Sequence, residues 1–190
     1  YLVYFHRVTV LTQIYITRAL QRARHLHLAG ELILSPPLHD LLLNDQLSPS
    51  KYAQLTDHPI MTALFEWSGH EDRQLSTLTT RVIARSEFHR RITGHPMGIS
   101  LAKKILPKLK HFIRNAGYEP EHDLILARAQ KRGYLPYQSG IIMEDGSDVR
   151  ERSRVVKALE GKIDEVMIFV PPSCVDLCVQ EIKDLIAEQG

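Results

Sequence analysis

Residues 3–29 run VYFHRVTVLTQIYITRALQRARHLHLA. Tyr4, Val8, Leu11, Tyr15, Ala19, Ala23 and Leu26 recur at steps of three and four, with neither Gly nor Pro among them. That period gathers them on one face of a helix. Arg18, Arg22 and His25 share a different face, and Gly30 is suited to the left-handed residue that ends many helices. One long amphipathic helix needs other elements to cover its apolar side, and the sequence beyond it supplies mainly more helices.

Working outward, Ser35-Pro36-Pro37 breaks the chain, because Pro does not continue a helix. Short helical pieces are expected at 38–44 and 49–55, the second opened by the cap pair Ser48-Pro49. Asp57 is expected to cap a helix over 58–67, and a further helix should run from Asp72 to Arg91. Gly94, Pro96 and Gly98 mark a linker. Ser100 can cap a helix over 101–116 that Pro107 kinks or interrupts, and Pro120 opens another to about Arg132. After Gly133 the pattern changes. Ser139 to Glu144 is short and apolar, Asp145-Gly146 signals a turn, Arg150 to Leu159 reads as a helix and Glu165 to Val170 as a strand. Pro171-Pro172 stops that strand, and Ser173 is placed to cap a last amphipathic helix through Ala187. The expected class is mostly α: a multi-helix body over 1–133 and a small C-terminal α+β element over 134–190, with two or more strands within 138–170.

The chain has 190 residues, about one domain or one domain with an appendage. Apolar residues make up 44% and charged residues 24%, which excludes a disordered chain. No apolar run approaches the ~20 residues of a membrane span. Two cysteines exclude a disulfide scaffold and a four-cysteine zinc module. No basic stretch followed by an apolar one opens the chain, so the expected location is cytoplasmic. The first residue is Tyr1, already inside an apolar pattern, and the chain reads as a piece of something longer.

Charge is strongly segregated. Residues 1–30 hold four arginines and no acid; residues 31–80 hold two bases and seven acids. Residues 81–116 hold nine bases against Glu87 alone, and 117–190 hold nine bases and fourteen acids. These blocks either pair with one another, within the fold or across an oligomer interface, or leave the basic ones as a phosphate-binding surface.

Motifs that carry chemistry are sparse. His-Glu-x-x-His, Cys-x-x-Cys, Gly-rich phosphate loops and Gly-x-Ser-x-Gly are all absent. Cys174 and Cys178 read as small core residues. His39-Asp40 and His122-Asp123 are adjacent pairs of the kind a metal centre uses, yet the first lies between Pro-Pro and an apolar run with no second polar ligand close by, and the second follows Pro120-Glu121, where acids simply favour a helix start.

The order of several short motifs says more. Val3-Tyr4-Phe5-His6-Arg7 before a long helix ending Arg18-Ala19-Leu20-Gln21-Arg22-Ala23 resembles the HD-domain phosphohydrolases, in particular the deoxynucleoside triphosphate triphosphohydrolase branch. That branch has a Tyr-x-His-Lys/Arg step opening a long helix just after its catalytic core. Lys51-Tyr52-Ala53-Gln54-Leu55-Thr56-Asp57, followed by Ile60 through Trp67, is similar to its Tyr-x-x-Leu-Thr-Asp stretch. Arg85 and Phe88 match its Arg-x-x-Phe helix end. Tyr134-Leu135-Pro136-Tyr137 and the closing strand–helix unit resemble its small C-terminal element. The likeness covers residues 1–91 in order and 134–170 more loosely.

The resemblance implies that Tyr4 packs on a nucleotide sugar, that His6 stands near the substrate pocket and that Arg7 meets a phosphate. The alternatives are a core aromatic at the helix entry for Tyr4 and solvated positions for His6 and Arg7. The family's metal ligands lie upstream of the Tyr-x-His step, where this chain has three residues. The expectation is therefore no catalytic residue, metal ligand or cofactor in this chain, with a divalent metal in the full-length protein. A second function class stays open: a regulatory module binding a nucleotide, nucleic acid or acidic protein through segments 1–30 and 81–116, although few aromatics accompany them to stack on bases. Association into a homo-oligomer is expected through the first helix, since Leu2, Val3 and Phe5 are apolar on more than one face.

Overall fold

A computed structural model describes residues 6–44, 46–53, 55–93, 98–132, 140–159 and 162–187. The mostly α class holds, and the chain forms two compact units, Tyr1–Phe88 and His89–Gly190. The boundary expected at 133/134 falls outside the described residues, as do the linker residues Gly94 and Pro96 and the motif at 134–137.

The first unit is built on α1 (Arg7–Leu28), whose buried face is Val10, Leu11, Tyr15, Ala19, Ala23 and Leu26. At its end Gly30 takes φ +79°. The Gly30 N–H donates to the His27 carbonyl and the Glu31 N–H to that of Leu26, the paired bonds of a Schellman cap. Helix α2 (Pro36–Leu43) starts on the two prolines instead of after them, because Pro lacks an N–H that the first turn does not need. Short α3 (Pro49–Ala53) buries nothing, and α4 (Asp57–Trp67) buries Ala63, Leu64 and Trp67. Asp57 is the first helical residue of α4 and Thr56 its cap position, so the expected cap is displaced by one.

Helix α5 (Arg73–Ala84) packs on both α1 and α4. The fully buried Ala19 and Ala23 let a neighbouring backbone come close to α1. The expected helix to Arg91 stops at Ala84, where Arg85 (φ +49°) and, two residues on, Glu87 (φ +52°) adopt left-handed conformations. Each costs a non-glycine residue about 1–2 kcal/mol, a cost offset by burial on either side of the break. Phe88 returns to Tyr15 (ring centroids 5.4 Å apart), and the Arg81 guanidinium lies 5.7 Å from the Tyr15 ring centre.

The second unit is a three-stranded antiparallel sheet with helices on it. Its strands are β1 (Arg90–Arg91), β2 (Ile125–Arg132) and β3 (Lys162–Val170), in the order β1-β3-β2. Ile125 faces Phe169 and Arg132 faces Lys162 across the β2–β3 ladder. Two expectations fail here. Pro120 opens only the single turn α7 (Pro120–Asp123), and 125–132 is a strand. Among the described residues, the window 138–170 contributes one strand, β3, plus an isolated bridge between Ile142 and Asp148 across the Gly146 turn. Its partners come from earlier in the chain. The residues of β2 are good helix formers, but Ile125 and Ala127 are buried while Leu126 and Arg128 are exposed, the alternation of a strand beside a buried one.

Helix α6 (Ile99–Asn115) runs through Pro107, which sits on the exposed side where water can solvate the carbonyl that loses its N–H. Gly98, not Ser100, is its cap position. The reading of 150–159 as one helix is corrected to α8 (Val149–Arg152) and α9 (Arg154–Leu159), parted at Ser153. A 3-10 turn (Pro172–Cys174) precedes α10 (Val175–Ala187), and Ser173 bonds the Tyr118 hydroxyl at 2.9 Å instead of capping. Ala102, Ile105, Leu109 and Ile113 of α6 share a core with Val166, Ile168 and Val170 of β3 and with Cys174, Cys178 and Ile182. Both cysteines are thus core residues, and burial pushes the Cys178 thiol up to about 11.

Candidate functional site

Of the three residues singled out for a substrate, Tyr4 lies outside the described residues. His6 is the N-cap of α1: its Nδ1 accepts the Val8 N–H at 3.4 Å, and the ring is exposed. Arg7, the first helical residue, is also exposed, and the first turn holds no acid. With Nδ1 accepting, a neutral His6 carries its proton on Nε2, which is then a donor. Beside it stand a guanidinium and the positive end of a 22-residue helix dipole. That combination suits an anion.

Arg22 and Arg24 of α1 serve the fold. Arg22 grips Asp72 with two bonds, Nε to Oδ1 at 3.2 Å and Nη2 to Oδ2 at 2.6 Å. Asp72 also caps α5 by accepting the Leu75 N–H at 2.8 Å. The Arg22 hydrogen bond holds the Asp72 carboxyl below the usual carboxylate range. Arg24 donates to the Leu42 carbonyl at 2.9 Å. The pairing of the basic opening segment with the acidic one after it is therefore realised inside this unit.

An open groove of about 810 Å³ in the same unit is lined by Glu31, Glu66, Gly69, His70, Glu71 and Asp72. Its carboxylates repel phosphate, so it does not fit a nucleotide's charged end.

Neither His-Asp dipeptide forms a centre. Asp40 is held by Lys51 at 2.7 Å and by Asn44 at 2.8 Å, with His39 at 4.0 Å. Asp123 approaches His89 at 3.6 Å, and its other oxygen accepts the Glu119 N–H. His89 is buried, a pairing the sequence did not signal because Phe88 to Arg91 reads as helix. Among the described residues no three His, Cys, Asp or Glu side chains gather to hold a metal. The donors among the described residues do not fit the metal of a hydrolytic site. No helix among the described residues is long and apolar enough to cross a membrane.

No protein-family model matches the chain. It is 26% identical over 172 residues to the uncharacterised protein YwfO of Bacillus subtilis, covering 84% of this chain and 39% of that one. A crystallised phosphohydrolase from Bacteroides thetaiotaomicron superposes with a TM-score of 0.63 and 27% identity, over 90% of this chain and 46% of that one. The chain shares the fold of part of that phosphohydrolase. A hypothetical protein from Aquifex aeolicus gives a TM-score of 0.54 at 14% identity, over 95% of this chain and 40% of its own, a likeness of fold alone. The chain thus spans less than half the length of each.

Proposed function

We propose that this chain is part of a metal-dependent phosphohydrolase of the HD type that acts on nucleotides, and that it supplies one wall of the substrate pocket. The observation that carries the reading is the likeness to the Bacteroides phosphohydrolase, which extends over 90% of this chain at 27% identity. The ordered motifs from Tyr4 to Phe88 support the narrower assignment to the triphosphohydrolase branch.

In this reading Tyr4 stacks on the sugar, His6 donates from Nε2 to a substrate oxygen and Arg7 neutralises a phosphate with its forked guanidinium. The exposure of His6 and Arg7 at the start of α1 leaves both able to reach a ligand. Their part is binding and orientation; the metal, held by residues of the longer protein, would supply the hydroxide and polarise the phosphoryl oxygen. Homo-oligomerisation belongs to the same proposal, with the first helix as the contact.

The test uses the longer protein that contains this chain. With a divalent metal present it is expected to cleave deoxynucleoside triphosphates, and chelation is expected to stop it. Arg7→Ala should raise KM about tenfold or more while leaving kcat nearly intact, the pattern of a lost ground-state contact. The chain of 190 residues alone is expected to turn over no nucleotide and to hold no stoichiometric metal. A metal-loaded full-length protein that leaves every nucleoside triphosphate intact would overturn the assignment.

A further inference from the structure

Helix α6 displays its charge as one continuous exposed face. Over residues 99–115 there is no acid, and Lys103, Lys104, Lys108, Lys110, His111 and Arg114 are all exposed. At about 100° per residue these six cover an arc of about 160°, opposite the buried Ala102, Ile105, Leu109 and Ile113. Lys103, Lys110 and Arg114 stand in one row about 16 Å long at 1.5 Å per residue.

Two of the cations are answered within the chain: Lys108 by Glu181, and Lys110 by Glu121 at 3.3 Å with both partners about half exposed. Lys103 and Lys104 have no acid in ion-pair reach among the described residues. The apolar anchorage of the helix lies on its other side.

We infer that this face of α6 docks on the phosphate backbone of a nucleic-acid duplex. The choice follows from three features. Three cations in a row about 16 Å long can meet neighbouring phosphates of a strand, each of which carries one negative charge. The exposed arc holds no Phe, Tyr or Trp, so it offers no platform for splayed bases of a single strand. A membrane surface is disfavoured because an interfacial helix inserts an apolar face, and here that face is spent on the core of its own unit. The contact is to backbone charge only, so it carries affinity without sequence preference.

Binding of the full chain to a fluorescently labelled 20-base-pair duplex, measured across a salt series, tests this. Each phosphate contact contributes about 0.9 to the slope of log K against log salt. The Lys103→Ala/Lys104→Ala/Arg114→Ala variant is expected to lose about 2–3 from that slope and at least tenfold in affinity at low salt. Glu121→Gln, which releases Lys110, should move the other way and bind a few-fold tighter. Circular dichroism and the melting temperature of all variants are expected to match the parent, since every changed side chain is exposed. No duplex binding at low salt, a slope unchanged in the triple variant, or tighter binding to phosphatidylserine vesicles or polyglutamate than to the duplex would each overturn the inference.

Discussion

In α1, Arg22 is clamped by Asp72 and Arg24 donates to a carbonyl of α2; in α6, Lys103 and Lys104 face solvent with no acid in reach among the described residues. Both helices are long and basic, and both bury one apolar face completely. The difference lies in what stands across from the charged side. Helix α1 has a neighbour, α5, whose N-cap carboxylate meets Arg22, so charge there is used for assembly. Among the described residues, the acids near α6 reach two of its lysines, Lys108 and Lys110. Sequence charge density alone does not separate structural cations from available ones; the position of the nearest carboxylate does.

If the two helices are equally anchored by their apolar sides, truncating either core should cost alike. Tyr15→Ala is expected to lower unfolding free energy by about 3–5 kcal/mol and Leu109→Ala by about 2–5 kcal/mol, as both side chains are fully buried. Denaturant unfolding measures both. A Leu109→Ala protein as stable as the parent would show that α6 is not held by this core.

The charged sides should then behave differently. Asp72→Ala removes the cap of α5 and the Arg22 clamp together, at an expected cost of about 1–3 kcal/mol. Asp72→Asn retains a capping oxygen and isolates the ion pair, so its cost should be about 1 kcal/mol or less. Equal losses in the two variants would mean that the cap contributes nothing.

Acid provides a third handle. The Asp72 pKa is lowered in the folded state by the Arg22 bond, so its contribution is fully present above the unfolded value of about 3.9, and it fades as pH falls through the lower folded value. The stability gap between the parent and Asp72→Asn should therefore be constant near neutrality and close below about pH 4. A gap that widened in acid would contradict the clamp. For α6 the smallest effect is expected: Lys103→Ala/Lys104→Ala should stay within about 0.5 kcal/mol of the parent in thermal unfolding.

What was legible in the sequence follows the range of the forces involved. The long first helix, its buried face and its Gly30 stop were readable because period and cap chemistry are local. The start of α5 at Asp72, the Asp145-Gly146 turn and the inert core cysteines were readable for the same reason. Of the proposed site, the sequence order offered Tyr4, His6 and Arg7 by resemblance, and the structure adds the exposure of His6 and Arg7 and the bond from the Val8 N–H to His6 Nδ1.

Local pattern was enough to read a mostly helical protein with segregated charge and a strand over Glu165 to Val170. The partners of that strand depend on contacts between residues far apart in the chain. Residues 125–132 favour a helix locally, and 85–91 continue a helical pattern, yet both give it up near β3, whose Val166 to Val170 are all buried. A fully buried strand must satisfy its backbone N–H and C=O groups on both sides, and the partners it recruits pay for this with their own preferences. Propensities of a few tenths of a kcal/mol per residue cannot resist that demand. The same holds for charge: the number of cations on α1 and α6 is plain from the sequence, whereas the placement of Asp72, Glu121 and Glu181 decides that Arg22, Lys110 and Lys108 are engaged.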